Sequence, residues 1–180
     1  MPIVRDKKIE VLFSPEQIAR RNHELAEEIA LSDLRNLLVI SILKGSFVFA
    51  ADLIRSLHAA GLAPEVEFIS VSSYGAGTVA GELRLIRDID TDVEGRDVLL
   101  IDDILESGNM LRFTRDLMMS RGARNVAIAV LLDKTMKHKG DIAAEHVGFD
   151  CPDHFVVGYG MDVGHAFREL PFVGVVTGEA

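Results

Sequence analysis

The chain has 180 residues, of which 48% are hydrophobic and 26% charged, and its formal net charge is −9. That length fits one soluble domain able to bury roughly 70% of its unfolded surface, and the acidic balance excludes a general nucleic-acid-binding surface, which is normally basic. One cysteine, Cys151, excludes an intrachain disulfide, in keeping with a reducing compartment.

The first eight residues lack the apolar stretch of a secretory signal. No apolar run approaches the ~18 residues that cross a bilayer, so a cytoplasmic location without membrane contact is expected. Residues 9–13 read as a short strand. Ser14, Pro15 and Gln17 then form a helix start, with Ser14 as cap, Pro15 in the first turn and Gln17 three residues after the cap. In the helix that follows, Ile18, Leu25 and Ile29 share one face. Residues 37–43 are a second apolar strand ending at Lys44-Gly45-Ser46. A helix over 47–60 is stopped by Gly61, and 65–71 is the next strand. Strand, helix, strand in this order is the unit of a parallel sheet.

Residues 72–81 carry three glycines and read as a mobile loop, after which 83–86 resume apolar character. Residues 98–101 have no polar alternation and read as a strand buried on both faces. A helix over about 110–121 follows, with Leu111, Phe113, Thr114, Leu117 and Met118 turned inward, and 125–132 is another buried strand. The segment 135–153 reads as polar and irregular, and 155–157 and 172–176 as late strands. The expected architecture is one α/β domain over residues 1–180. Its parallel β-sheet core, about 35–135, is flanked by helices, and the terminal segments, about 1–15 and 150–180, build a small extra element.

Three strand ends carry polar residues: Lys44-Gly45-Ser46, Asp102-Asp103 and Asp133-Lys134. Ligands of α/β sheets bind beyond the carboxyl ends of the strands, so all three face one crevice. After Asp102-Asp103 come Ile104-Leu105-Glu106-Ser107-Gly108-Asn109-Met110. Glu106-Ser107-Gly108-Asn109 stand where a helix begins and free backbone N–H groups attract phosphate. Carboxylates fit for a metal or for sugar hydroxyls thus lie beside an anion cradle, which points to a phosphorylated sugar. No GxxxxGKS/T element precedes them, so a P-loop ATPase is excluded. A receiver domain is excluded because its acid pair follows the first strand.

With these motifs in hand, the chain resembles the purine phosphoribosyltransferases of the hypoxanthine–guanine type. The likeness covers nearly all 180 residues. It rests on Leu43-Lys44-Gly45, Ser72-Ser73-Tyr74-Gly75, the stretch 98–111, Leu132-Asp133-Lys134, and Phe155-Val156-Val157-Gly158-Tyr159 followed by Asp162 and Arg168. The resemblance implies a type I phosphoribosyltransferase fold with a hood over the base. It also implies transfer of ribose 5-phosphate from phosphoribosyl diphosphate to a 6-oxopurine, with Mg²⁺ as cofactor and a homo-oligomer, dimer or tetramer, as the assembly.

The same resemblance implies residue roles. Ser107, Gly108, Asn109 and Met110 hold the 5-phosphate. Asp102 and Asp103 meet the ribose hydroxyls and hydrated Mg²⁺, and Asp162 is a further magnesium ligand. Arg168 clamps the diphosphate, and Lys44-Gly45 is the diphosphate loop, which in the family carries a non-proline cis peptide. Lys134 selects a C6 carbonyl because an ammonium only donates. Phe155 stacks on the base, the Val156 backbone reads its edge, and Ser73-Tyr74 belong to a closing lid. Glu106 is the general base toward purine N7, where the family usually has aspartate. Met110 stands where it usually has threonine, and Val163 and Phe167 where hydroxyl-bearing aromatics are common. These departures keep two further readings open: a non-catalytic nucleotide or phosphoribosyl diphosphate binder, and a transferase with shifted base preference.

Overall fold

The computed structural model describes residues 3–4, 6–74, 82–138 and 142–179. The expected mobile loop therefore lies largely outside the described residues. Helix α1 (Pro15–Ala30) starts as its sequence dictates: the Gln17 amide donates to Ser14 Oγ at 3.3 Å, and the Ser14 amide donates to Gln17 Oε1 at 2.8 Å. Strand β3 (Leu38–Leu43), helix α2 (Phe47–Ala59) and strand β4 (Glu65–Tyr74) form one parallel unit; β6 (Asp97–Leu105), helix α3 (Asn109–Ser120) and β7 (Asn125–Asp133) form a second. Strand β5 is Glu82–Arg87 and β8 is His146–Asp150. The main sheet has the order β5-β4-β3-β6-β7-β8, parallel throughout except for the antiparallel β4–β5 pair.

The unbroken apolar runs have a simple cause. Successive strand residues point to opposite faces, and both faces are covered. Val39, Leu99, Ile101, Ala129 and Leu131 pack with α1 and α2 residues such as Leu25, Ile29, Phe49 and Leu53. Leu38, Ile40, Val98, Leu100, Ile128 and Val130 pack with Leu111 and Met118 of α3.

The two parallel units run outward in opposite directions from the adjacent strands β3 and β6. The crevice beyond their carboxyl ends is the switch point where such folds bind ligands. Here β6 outruns its neighbour. Its pairing with β3 ends at Ser41↔Ile101, whereas its pairing with β7 continues to Leu105↔Asp133. The strand expected to end at Ile101 therefore carries Asp102 and Asp103 within it, with one edge open toward the turn after β3.

A second, antiparallel sheet forms the hood from both ends of the chain, in the order β1 (Ile3–Val4), β2 (Lys7–Phe13), β10 (Val173–Glu179) and β9 (Val156–Val157). Its small core is Ile9, Val157, Ala166, Phe167 and Leu170. Two other expectations are corrected. The segment 135–153 is not irregular throughout, because 146–150 pair in parallel with β7 as β8; a Cβ on Gly148 would clash with the Leu131 carbonyl, so this strand sits unusually close to its neighbour. Residues 72–74 are strand rather than loop. Among the described residues, no helix is long and apolar enough to cross a membrane.

Candidate active site

The turn after β3 is held by its own hydroxyls. Buried Ser46 bonds the Ile42 carbonyl and, at 2.7 Å, Ser41 Oγ. The Leu43–Lys44 peptide is cis. A Cβ on Gly45 would overlap the Asp103 carboxylate, so the glycine lets the turn and that side chain meet directly. The turn is thus packed directly onto the exposed edge of β6.

Asp102 is buried, and its Oδ1 accepts from the Asp103 amide at 2.9 Å; Asp103 Oδ1 accepts from the Ile104 amide at 2.8 Å. Burial and the neighbouring Asp103 charge push the Asp102 carboxyl well above the usual carboxylate range. Burial raises Asp103 as well, opposed in part by the positive charge of Arg168. Two such carboxylates favour cations or hydroxyl donors nearby.

Helix α3 opens on Gly108, whose φ of 76° is in the left-handed region and which stacks against Ile142 with no room for a side chain. Among the described residues the helix has no side-chain N-cap bond, and Ser107 Oγ accepts from the Asn109 amide at 3.4 Å. The first-turn N–H groups and the helix dipole therefore favour an anion here. Met110 adds no polar side-chain group, since it packs on the core.

Glu106 and Lys134 meet at the lip. Lys134 is buried just after β7, its backbone amide donating to the Leu105 carbonyl at 2.9 Å. Its Nζ lies 3.4 Å from Glu106 Oε1 and 3.9 Å from Asp153 Oδ1, and Asp153 is held by Lys137 at 2.9 Å. Asp153 has no motif around it, and no sequence pattern marks it as part of the site.

Arg168 lies between β9 and β10, and its positive charge acts on Asp103. Its Nη2 is 2.9 Å from Asp162 Oδ1, and its Nη1 donates to the Gly160 carbonyl at 2.6 Å. Asp162 Oδ2 also accepts from the His165 amide at 2.7 Å. Phe155 leads into β9 and is 64% exposed, while Val156 is buried on β9, the edge strand of the hood sheet.

Lys44, Gly45, Asp102, Asp103, Ile104, Glu106, Ser107, Gly108 and Met110 line one cavity of about 290 Å³. Lys134 lies behind the lining residue Glu106, at 3.4 Å, whereas Arg168 lines a separate cavity with Val48, Asp52 and Tyr159, and Asp162, Phe155 and Val156 line neither. Ser73 and Asn109 instead line a neighbouring cavity on the far side of Ser107 and Met110. Leu105 is buried and takes part through its carbonyl. Tyr74 ends β4, and its side chain lies outside the described residues. Among the described residues, no three His, Cys, Asp or Glu side chains converge on a metal position. The donor set fits a divalent cation that takes most of its ligands from substrate oxygens and water, as Mg²⁺ commonly does.

Residues 10–163 match the family model of the phosphoribosyl transferase domain. The chain is 44% identical over 169 residues to the hypoxanthine-guanine phosphoribosyltransferase of Bacillus subtilis, with 92% of each chain covered. It is 41% identical over 173 residues to that of Dictyostelium discoideum, covering 94% of this chain and 96% of the other. The crystal structure of a hypoxanthine phosphoribosyltransferase from Staphylococcus aureus is similar to it with a TM-score of 0.87 and 39% identity, over 96% of this chain and 92% of that one.

Proposed function

The chain belongs to the phosphoribosyl transferase domain family, and from that premise we propose that it is a purine salvage enzyme. It transfers the 5-phosphoribosyl group of phosphoribosyl diphosphate to hypoxanthine or guanine and releases diphosphate. The observation that carries this reading is the Glu106–Lys134 ion pair at the lip of a cavity whose floor is an anion-binding helix start. A proton acceptor and a carbonyl-seeking cation stand beside a phosphate cradle.

The N–H groups of Ser107 to Met110 and the Ser107 hydroxyl hold the 5-phosphate. Asp102 and Asp103 accept hydrogen bonds from the ribose hydroxyls. Lys44, Gly45 and Arg168 hold the diphosphate, for which a guanidinium fork is well shaped. Phe155 stacks on the purine, and the Val156 backbone on the open edge of the hood reads the base. Lys134 donates to the C6 oxygen. Glu106 takes the proton displaced from N7 as N9 bonds to the ribose carbon, so charge does not build up on the base. Ser73 and Tyr74 begin a segment that closes over the site and keeps water from a cation-like ribosyl group. Asp102, Asp103 and Asp162 would hold Mg²⁺, which would supply positive charge against that of the diphosphate. The enzyme acts in the cytoplasm as a homo-oligomer.

The base-reading half is tested by Lys134→Ala. A site built to pair with a polar substrate group rejects analogues that lack it by up to ~10⁴-fold. The expected result is a large fall in the ratio of kcat/KM for hypoxanthine to that for adenine, measured by nucleotide formation. An unchanged ratio removes Lys134 from base selection.

A further inference from the structure

The loop between β9 and β10 carries a buried residue, Tyr159, that is bonded to two helices. Tyr159 has φ 50°, a left-handed conformation that is unfavourable for an L-residue. Such strain persists only where the surroundings impose it. The surroundings here are two helices: the phenol donates to Asp52 of α2 and accepts from Asn22 Nδ2 of α1 at 3.0 Å. Burial and the Asp52 carboxylate raise the Tyr159 pKa far above neutrality, so the hydroxyl remains a donor. The backbone adds a bond from the Tyr159 amide to the Leu170 carbonyl at 2.8 Å.

The next residue carries this anchoring into the site. A Cβ on Gly160 would fall on the Gly45 carbonyl, so the Gly160 backbone rests directly on the turn after β3. The Gly160 amide donates to the Arg168 carbonyl at 3.1 Å, and its carbonyl accepts from Arg168 Nη1 at 2.6 Å. Gly45 in turn bears on Asp103. Tyr159 itself does not line the cavity between Gly45 and Gly108.

We infer that Tyr159 is a positioning residue for the diphosphate side of the site: by fastening its loop to Asp52 and Asn22, it seats Gly160 on Gly45 and aims Arg168. This inference rests on the reading of the cavity as a phosphoribosyl diphosphate site. A role confined to stability would lower the melting temperature and leave the affinity of folded protein for each substrate unchanged. A positioning role separates the two substrates.

The test compares the parental protein with Tyr159→Phe, Asp52→Ala and Asp52→Asn, measuring kcat, KM for each substrate and melting temperature. Tyr159→Phe and Asp52→Ala are expected to raise KM for phosphoribosyl diphosphate about tenfold and to leave KM for hypoxanthine within about twofold. Asp52→Asn keeps an acceptor for the phenol and is expected to restore the parental KM. If Tyr159→Phe does not fold, the Asp52 pair decides. A lower melting temperature with parental KM values overturns the inference, as does an equal rise for both substrates. Calorimetric titration with phosphoribosyl diphosphate gives the same comparison without turnover. Parental protein that binds it but makes no nucleotide overturns the transfer reading alone, and the affinity ratio among the variants still decides the role of Tyr159. Parental protein that does not bind it overturns both.

Discussion

Glu106→Gln is expected to lower kcat by about 10²-fold or more while leaving the affinity for phosphoribosyl diphosphate within about twofold. The amide keeps the shape of the side chain and an oxygen for Lys134, whose Nζ lies 3.4 Å from Glu106 Oε1. What it loses is the capacity to take a proton. Glu106 stands on the segment joining β6 to α3, between the carboxylate pair and the phosphate cradle, and its side chain is about half exposed. It is thus free to turn between Lys134 and a bound base without breaking the fold. Steady-state kinetics with hypoxanthine and a binding titration check the split. An unaffected kcat removes Glu106 from the proton-transfer role.

Gly45→Ala is expected to reduce kcat/KM by about 10²-fold, since misplacement of reacting groups by ~1 Å costs that much. The added methyl group would meet the Asp103 carboxylate. That carboxylate is fixed by the Ile104 amide at 2.8 Å and sits on a strand paired to β7. Either the Asp103 carboxylate is displaced from the site or the turn moves, and with it Lys44 and the Gly160 backbone resting on Gly45. Gly178→Ala is the control, because nothing lies within 4 Å of an added Cβ there; it should retain parental activity. Equal activity in both variants contradicts the account of the turn.

The parts of this fold that the sequence made legible are those governed by local pattern. Continuous apolar runs at β3, β6 and β7 record burial on two faces, and the Ser14 capping box fixed the start of α1 to the residue. The carboxylate pair, the glycine and the helix start were readable together because a phosphate cradle needs a particular local order of residues. The extension of β6 to Leu105 was not readable, since polar residues in a strand look like its end; pairing with β7 on one side alone keeps them in the ladder. Strand β8 was missed because His146-Val147-Gly148-Phe149-Asp150 has little periodicity, and its pairing is imposed by β7. The meeting of Asn22, Asp52 and Tyr159 spans 137 residues of sequence, and no spacing rule reports it. Asp153 beside Lys134 is tertiary in the same way, visible only once the end of β7 and the turn before β9 are brought together.

The most direct test of the whole account is product formation by the parental protein. Protein, Mg²⁺ and phosphoribosyl diphosphate are mixed with hypoxanthine, guanine, xanthine, adenine or uracil in turn, and nucleoside monophosphate is followed. Rapid formation of product is expected with hypoxanthine or guanine, and little with adenine or uracil. Measurable binding of phosphoribosyl diphosphate with no product from any base would contradict it and would make the protein a binder on a transferase fold.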